Sequence, residues 1–253
     1  MEKYCVFYAY FETNDSKKNL EFFVKNGVTI DDNIFYVFLI NNHRYSVKIP
    51  DQNNIKIICR NNTGHDFGSW KQGLESINPN TFDYFIFMND TVRGPFLPRY
   101  IPQNIKWYDM FCNLLSERVK LSGLTINYFP WGAKDPNLQH IQSMMFCTDK
   151  IGLDILNKHI FNLTSDEYET IYNKGRKNYI MRFEIGMSQQ IIKNGFDIAA
   201  LYICDTTKIK TGDIWYNKKY FETTINPLET MFIKKNRIQS PIINFYTKVL
   251  SNN

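Results

Sequence analysis

Short, unbroken apolar runs recur along the first part of the chain, separated by polar segments. Such runs predict strands that are covered on both faces, as in a parallel sheet flanked by helices. Strands of this kind are predicted at 5–11, 34–40 and 84–88, and a further strand, which contains Lys56, at 55–59. Helical patterns follow the capping cluster at 14–16 and span residues 66–76. This β-α-β-β order at short spacing predicts a doubly wound α/β sheet.

The second half of the chain continues the alternation less regularly. Strands are predicted at 121–126, 141–147 and 198–204, and helices at 107–117, 150–160, 165–174 and 183–194. Gly195 is a good C-cap candidate for the last helix. Weaker pieces are predicted at 45–47, at 231–233 and from residue 242 onward. Because no internal repeat or low-complexity linker interrupts the pattern, we expect one domain over residues 1–253.

Composition narrows the class of protein. A chain of 253 residues with 43% hydrophobic and 16% aromatic content can bury a full core. The net charge of +5 is mild, and the basic residues are scattered apart from a short cluster at 234–237. This balance favours a small phosphate-bearing ligand over nucleic acid, which requires a concentrated basic surface.

Cysteine usage and apolar run length indicate the compartment. Five cysteines lie far apart and form no CxxC pair, so we expect reduced thiols, mostly in the core. They are Cys5, Cys59, Cys112, Cys147 and Cys204. No apolar run approaches the ~18 residues of a membrane span, and the N-terminus lacks a signal-peptide pattern. We therefore expect a cytoplasmic protein without a membrane span.

Two aspartates fall where an open α/β sheet binds its ligands. Asp90 directly follows the strand at 84–88, and Asp66 lies at the loop-to-helix junction after the strand at 55–59. Ligands of such sheets bind beyond the carboxyl ends of the strands. We therefore expect both carboxylates at the functional edge.

The loop before the second helix allows two interpretations. Asn62-x-Gly64 places a helix N-terminus and free amides near the sheet edge, an arrangement that binds anions. Asp66 would there accept hydrogen bonds from a ribose or sugar hydroxyl. Alternatively, Asp66 is only a helix N-cap and Gly64 a turn residue.

Two further carboxylates also have a functional and a structural interpretation. Asp90, with Asn89 and Thr91, offers oxygen ligands to a hard divalent cation that a diphosphate would complete, or it closes an Asx turn. Glu184 is expected at the start of the helix at 183–194, where a carboxylate serves as an acid or base or interacts with the helix dipole.

Together these motifs resemble the nucleotide-sugar half of GT-A-fold glycosyltransferases. The segments NTGHDFGSW at 62–70 and FIFMNDTVRGPF at 85–96 look like the rhamnan-synthesis-protein-F-like group and its relatives in large DNA viruses. HIQSMMF at 140–146 and NPLETMFIK at 226–234 resemble the same group, so the resemblance covers roughly residues 4–237. It implies a single GT-A-like, Rossmann-like domain with a mixed, mostly parallel sheet flanked by helices.

The resemblance also implies how the chain divides. Residues 1–98 would form the nucleotide-sugar-binding half, residues 99–237 the acceptor-binding half, and residues 238–253 a C-terminal tail. The donor would be a nucleotide diphosphate sugar, expected to be a UDP-sugar with UDP-rhamnose a plausible case. The acceptor would be a glycan or glycoprotein.

Residue roles follow from the resemblance in the same way. Asp90 and Asn89 fall where the fold carries its Asp-x-Asp metal motif for Mn²⁺ or Mg²⁺, although only Asp90 is acidic here. Glu184 matches the position of the general base in many inverting members. The nucleotide would be held by Tyr10, Phe11 and Glu12 at the end of the first strand and by Asn62, Gly64 and Asp66. Lys234 and Arg237 would neutralise the diphosphate or, alternatively, belong to a solvated basic tail.

Acceptor contacts are expected from His140, which could bind a sugar or phosphate, and from Trp131, which could stack on a sugar. The alternatives are a solvated cap for His140 and a core position for the tryptophans, Trp107 included. The function predicted is an inverting glycosyltransferase. A non-catalytic nucleotide- or sugar-binding module remains an alternative, because the Asp-x-Asp motif is incomplete. A nucleotidyltransferase is disfavoured, because residues 10–19 lack a glycine-rich loop with Arg and Lys.

Overall fold

The protein is described from a computed structural model. The structure describes residues 1–42, 44–98, 100–102, 104–128, 135–202 and 225–251. Trp131 and Cys204 lie outside these residues, as does the end of the predicted 198–204 strand, at 203–204.

The first hundred residues form the predicted strand and helix pattern, with ends shifted by a residue or two. The elements are β1 (Tyr4–Tyr10), α1 (Asn14–Asn26), β2 (Ile34–Ile40), β3 (Ile55–Cys59), α2 (His65–Glu75), β4 (Tyr84–Asn89) and β5 (Val92–Arg93). Helix α1 starts at a capping box formed by Thr13 and Ser16, which satisfies free amides of its first turn.

The remaining elements are shorter and less regular. They are α3 (Asp109–Cys112), β6 (Val119–Gly123), β7 (Ile126–Asn127), β8 (His140–Ile141), β9 (Met145–Asp149), α4 (Lys150–His159), α5 (Ser165–Asn173), α6 (Arg176–Tyr179), α7 (Gly186–Lys193), β10 (Asp197–Ala200), α8 (Pro227–Thr230), β11 (Ile233–Lys234) and α9 (Ser240–Ser251). A π-helical segment at Ile180–Ile185 joins α6 to α7. Turns of 3-10 helix lie at Pro79–Thr81, Pro136–Leu138 and Lys235–Arg237.

Seven strands form one mixed sheet in the order β10-β6-β9-β4-β1-β2-β3. Strand β1 pairs in parallel with β2 and β4, and β2 pairs in parallel with β3. Only β9 runs against its neighbours in this sheet, β4 and β6. The predicted mixed, mostly parallel α/β sheet is confirmed, and the carboxyl ends of β1 and β4 meet at one edge.

Both faces of the sheet are buried, as the unbroken apolar runs predict. Along β1, Val6 and Tyr8 face one hydrophobic cluster while Phe7 and Ala9 face the other. This alternation follows from the two-residue period of a strand. Helix α2 covers the second face with Phe67, Trp70 and Leu74, which are buried as predicted.

Three predictions about local structure are wrong. Residues 45–47 form no strand, because no neighbouring strand pairs with them. The helix expected at 107–117 shortens to α3, since Trp107 points into the core and donates from its ring nitrogen to the Gly27 carbonyl at 2.8 Å. Cys59 ends the edge strand β3 and is exposed, whereas Cys5, Cys112 and Cys147 are buried thiols as expected.

A two-stranded ribbon brings the C-terminal segment to the carboxyl edge of the sheet. Strand β11 pairs antiparallel with β5, with Ile233 opposite Arg93 and Lys234 opposite Val92. Because β5 begins two residues after Asp90, the pairing brings Lys234 to the neighbourhood of that carboxylate.

Among the helices of the described residues, none combines the length and apolar character that crossing a membrane requires.

Candidate functional site

Asp90 lies at the junction between the ends of β4 and β1. Its carboxylate Oδ2 accepts a hydrogen bond of 2.5 Å from the backbone N–H of Phe11, and its own N–H donates to the Ala9 carbonyl at 3.0 Å. Burial, with the negative charge of Asp66, raises the pKa of Asp90 to about 7, against the opposing effects of the Phe11 N–H and Lys234. Asp90 is therefore a carboxylate that changes charge near neutral pH.

Asn89 connects Asp66 to the end of β4. Its side-chain nitrogen donates to Oδ2 of Asp66 at 2.7 Å. Its side-chain oxygen accepts from the Thr91 N–H at 3.1 Å and from the Thr91 hydroxyl at 2.5 Å. Asn89 is 5% exposed. Its side-chain amide is therefore used in hydrogen bonds that hold Asp66 and Thr91 in place.

Asp66 is the second residue of α2 rather than its N-cap, which is Gly64. Burial and the charge of Glu184 raise the pKa of Asp66, while Asn89, Lys234 and His65 act in the opposite direction. The N-cap alternative considered for Asp66 is therefore wrong. Its carboxylate faces the charged groups at the edge of the sheet.

The fit of a divalent cation to this edge rests on Asp90. Oδ1 of Asp90 makes no hydrogen bond to the described residues, whereas the Asn89 oxygen already accepts two from Thr91. Across the described residues, no cluster of three or more His, Cys, Asp or Glu side chains is placed to hold a metal. The chain thus fits a hard cation with one carboxylate ligand, the remaining ligands coming from ligand oxygens or water.

Glu184 lies inside a continuous helical segment and not at a helix start. The segment runs through α6, the π-helical turn at Ile180–Ile185 and α7. The prediction that Glu184 opens a helix is therefore wrong, and a helix dipole does not explain its charge state. Such π-helical turns occur frequently at functional sites.

Two donors of Ser143 hold the Glu184 carboxylate, and the His140 ring lies beside it. Oε2 accepts from the Ser143 N–H at 3.0 Å and also from the Ser143 hydroxyl. Oε1 lies 3.3 Å from Nε2 of His140, whose ring does not aim its N–H along the contact. Burial disfavours the charge of Glu184, but His140 and Ser143 outweigh it and lower the pKa to about 2.

His140 is a buried residue of β8 and not a solvated loop cap. It is 1% exposed, and its Nδ1 lies 2.7 Å from the Leu138 carbonyl oxygen. Its other ring nitrogen faces Glu184. The geometry thus makes His140 a support for Glu184, and only a rearrangement would let it touch a sugar.

Two basic residues from the C-terminal segment complete the charge cluster. Burial, reinforced by Arg237 and Arg176, lowers the pKa of Lys234, while Glu184 and Asp66 act against this shift. Burial lowers the pKa of Arg237 to about 9, with Glu184 opposing. The positive charge of Lys234 thus offsets the negative charges of Glu184 and Asp66, and it also offsets that of Asp90.

An open cleft of ≈ 470 Å³ lies beside Asp90. It is bounded by the N-terminal part of α1, by Thr91, and by the segment 234–240, which includes Lys234. At its mouth, Lys235 pairs with the Asp15 carboxylate at 2.7 Å. The cleft is wide enough for a small polar ligand.

The end of β1 offers one accessible ring for a nucleotide base. Tyr10 is fully buried, and its hydroxyl donates to Oε2 of Glu12 at 3.1 Å. The same Glu12 oxygen accepts from the Ser46 N–H at 2.6 Å, a contact that lowers the Glu12 pKa. Phe11 is 43% exposed. Of these three residues, Phe11 is the one whose aromatic ring is accessible.

The backbone N–H and carbonyl of Gly64, in the loop at the start of α2, already have hydrogen-bond partners within the chain. Gly64 adopts a left-handed conformation with φ 73°, and its N–H donates to the Glu169 carboxylate at 3.0 Å. Its carbonyl accepts from the Tyr179 hydroxyl at 2.8 Å. An anion at this amide would have to displace Glu169. Asn62 is partly buried in the same loop.

Several residues of the site are invisible to sequence reasoning because their partners are distant along the chain. Arg60 is buried and donates to the Asn41 side chain at 2.6 Å and to the Thr63 carbonyl at 2.6 Å, which fixes the loop before α2. Ser143 contacts Glu184 across 41 positions. Trp107 is core, while Trp131 falls outside the described residues.

Comparison with known proteins identifies a family and distant relatives. The model of the family described as Rhamnan synthesis protein F matches residues 39–251. The chain is 26% identical over 186 residues to Virulence protein VirA of Vibrio anguillarum (strain ATCC 68554 / 775), covering 66% of this chain and 52% of that protein. A second Vibrio anguillarum VirA matches to the same extent, so the chain spans about half the length of the curated relatives it matches.

A solved structure is similar to part of the chain. It is the mannosyltransferase PcManGT from Pyrobaculum calidifontis in complex with GDP-Man and Mn²⁺. The similarity has a TM-score of 0.46 and 8% sequence identity, and it covers 78% of this chain and 54% of the mannosyltransferase.

Proposed function

The chain belongs to the Rhamnan synthesis protein F family, and we propose that it is a glycosyltransferase of polysaccharide synthesis. In this proposal one GT-A-like domain moves a sugar from a nucleoside diphosphate donor to a glycan or glycoprotein acceptor. A UDP-sugar, with UDP-rhamnose as one case, is the first donor to test. The cytoplasmic location and the resemblance to proteins of large DNA viruses stay predictions.

The observation that carries the proposal is the cluster of opposite charges at the carboxyl edge of the sheet. The charge of Glu184 raises the pKa of Asp66, the charge of Asp66 raises the pKa of Asp90, and Lys234 offsets all three carboxylates. Paired perturbed carboxylates beside an open cleft are typical of a site that handles charge and protons. A structural core would not need this many ionisable groups at one edge.

We assign donor binding to the groups around Asp90. Phe11 stacks on the base, Asp66 accepts hydrogen bonds from the ribose or the sugar, and Lys234 and Arg237 offset the diphosphate charge. Asp90 would hold Mn²⁺ or Mg²⁺, which would supply charge neutralisation for the departing diphosphate. Asn89 contributes by fixing Asp66, and any direct ligation would require its oxygen to leave Thr91.

We assign the base role to Glu184 in an inverting displacement. The acceptor oxygen bonds to the anomeric carbon, the carbon–oxygen bond to the diphosphate breaks, and the diphosphate leaves with the bonding electrons. Glu184 takes the acceptor proton. A carboxylate with a pKa of about 2 is a weak base, so it accepts the proton as the new bond forms, when the acceptor oxygen has become acidic.

A thermal-shift screen of UDP, GDP and dTDP sugars, each with Mn²⁺ and with EDTA, tests the donor assignment. A ligand that binds only the native state raises the Tm by mass action. We expect at least one nucleoside diphosphate sugar to raise the Tm, and to do so more strongly with Mn²⁺. If none shifts the Tm at millimolar concentration, the donor assignment is wrong.

A non-catalytic nucleotide- or sugar-binding module is the second candidate. It is favoured by Asn89 and Thr91, which leave Asp90 as the single acidic residue of the strand-end motif. Release of free nucleoside diphosphate from the stabilising donor separates the two functions. A module binds the donor but does not hydrolyse or transfer it, whereas a transferase slowly hydrolyses it even without an acceptor.

A further inference from the structure

A second groove, of ≈ 540 Å³, lies between α1 and α9. The residues that α1 contributes to it stand at positions 18, 21, 22 and 25, the i, i+3, i+4, i+7 spacing of one helix face. The charged and hydroxyl-bearing lining residues are Lys18, Glu21, Lys25, Arg93, Thr247 and Lys248. Four of these carry positive charge and one carries negative charge, so the groove is basic.

Arg93 lies at the base of this groove and is 4% exposed. Its Nε donates to the Asn19 side-chain oxygen at 2.9 Å, and Nη1 donates to the Thr247 hydroxyl at 3.2 Å. Both acceptors are neutral. Within the described part of the chain, no carboxylate lies within 4.0 Å of the guanidinium, and Nη2 makes no hydrogen bond.

A buried cation without a counter-charge in contact with it is costly. Burial lowers the pKa of Arg93, which reflects this cost, while the negative charge of Asp15, which makes no contact with the guanidinium, offsets it only in part. The one acidic lining residue, Glu21, is half exposed and lies 4.0 Å from Lys17. Lys18 and Lys248 add to the positive potential instead of relieving it.

We propose that the groove between α1 and α9 binds a phosphoryl group, with Arg93, Lys18 and Lys248 as its cationic contacts. The planar guanidinium offers paired N–H groups that match phosphate oxygens, and the two lysines supply mobile positive charge. Thr247 holds the guanidinium in position, since its hydroxyl accepts from Arg93 and donates to the Ile243 carbonyl.

This site is distinct from the donor cleft, although the two are neighbours. Asn19 separates them, because its oxygen accepts from Arg93 while its nitrogen donates to the Asp90 carbonyl at 2.8 Å. The phosphoryl group has two possible sources, a free phosphate compound or the headgroup of an anionic phospholipid. The proposal does not depend on the transferase assignment, since no residue of the proposed catalytic step lines the groove.

Binding of inorganic phosphate and pyrophosphate to the full chain, measured by calorimetry in EDTA at constant ionic strength, tests the site. The variant is Lys248→Glu, in the last turn of α9, and the matched control is Lys158→Glu, exposed in the last turn of α4. The two reversals carry the same helix-dipole penalty. Arg93→Lys keeps the charge but removes the planar fork.

We expect Lys248→Glu to weaken phosphate binding by about tenfold or more, the scale of a lost charge-assisted contact. Arg93→Lys should weaken it as well, and Lys158→Glu should leave it unchanged. Lys234→Met should spare phosphate binding while weakening nucleoside diphosphate binding, which separates failure here from failure of the donor assignment. Three results would overturn the proposal. The wild-type chain could fail to bind phosphate at millimolar concentration, Lys158→Glu could weaken phosphate binding as much as Lys248→Glu does, or only Lys234→Met could weaken it.

Vesicles distinguish the source of the phosphate. Co-sedimentation with phosphatidylglycerol vesicles, absent with phosphatidylcholine alone and lost in Lys248→Glu, assigns the site to a lipid headgroup. Calorimetric binding of free phosphate without co-sedimentation assigns it to a small ligand. Either result supports the site. Co-sedimentation that persists in Lys248→Glu, together with unchanged phosphate affinity, contradicts it.

Discussion

The side-chain amide of Asn89 donates to the carboxylate of Asp66 across 2.7 Å, which joins the end of β4 to the first turn of α2. This hydrogen bond lowers the pKa of the partly buried Asp66 carboxylate, against the effect of burial. A second carboxylate at this position would face both Asp66 and Asp90, so the amide suits the local charge.

Asn89→Asp should therefore destabilise the protein, because it replaces a donor to Asp66 with a like charge. We expect a loss of about 1–3 kcal/mol at pH 8, the scale of an unsatisfied buried polar group, and a smaller loss at pH 5, where protonation relieves the repulsion. Urea denaturation at both pH values measures this. Asn80→Asp, exposed in the turn before β4, is the control. Equal stability of Asn89→Asp and wild type at pH 8 contradicts the expectation.

Asp90→Asn should stabilise the ligand-free protein at pH 8. The pKa of Asp90 rises from 3.8 to about 7 on folding, so the native state binds the proton more tightly and stability falls as pH rises between those values. Asn removes this loss and keeps an oxygen for the Phe11 N–H. The Tm should rise at pH 8 by roughly 2–4 °C per kcal/mol gained, and the gain should vanish near pH 4. Asp51→Asn, exposed and far along the sequence from the cleft, should show no such pH dependence.

The effect of Mn²⁺ on donor binding should depend on Asp90. A proton and a cation compete for the same carboxylate, so the Mn²⁺ effect should weaken as pH falls through about 7. Asp90→Asn should remove most of it at every pH. Calorimetry of nucleoside diphosphate binding with Mn²⁺ and with EDTA, at pH 6 and pH 8, measures both effects. Equal affinity with Mn²⁺ and EDTA at pH 8 would rule out a metal role for Asp90.

Glu184→Gln should leave donor affinity nearly unchanged and lower turnover by about 10²-fold or more, the scale of a lost general base. Because the pKa of Glu184 is about 2, the wild-type rate should show no acidic limb from this group between pH 5 and 8. Donor hydrolysis and sugar transfer should be followed together. Glu167→Gln, in the exposed capping box of α5, is the matched control. If Glu184→Gln turns over at the wild-type rate, Glu184 is not the base and another carboxylate must take that role.

Lys234→Met should weaken nucleoside diphosphate binding by about tenfold or more, since it removes a partly buried positive charge that offsets three carboxylates. Lys235→Met is the neighbouring control. Its ammonium is half exposed and already paired with Asp15, so its loss should change affinity less. Binding is measured by calorimetry in EDTA, which separates the lysine contribution from that of the metal. If Lys235→Met weakens binding more than Lys234→Met does, the diphosphate binds at the mouth of the cleft and not beside Lys234.

The sequence by itself determined the sheet and the position of Asp90 on it. The runs that became β1, β2 and β4 are apolar on both strand faces, which is typical of a parallel sheet whose ligands bind at the carboxyl ends of its strands. Each run, and the carboxylate that follows β4, is a local feature, so the pattern encodes them. The α/β class and the strand-end carboxylate were both predictable for that reason.

Only the tertiary structure decided which groups surround the carboxylates. Lys234 reaches the cluster through the β5–β11 ribbon, and Ser143 meets Glu184 across 41 positions. The helix containing Glu184 begins at Arg176 instead of 183, because a π-helical turn lets α6 continue into α7. Charge state depends on burial and on partners distant along the chain, which no local pattern records. The charge states of Asp90 and Glu184 are therefore set by the tertiary fold and cannot be predicted from the sequence motifs that contain these residues.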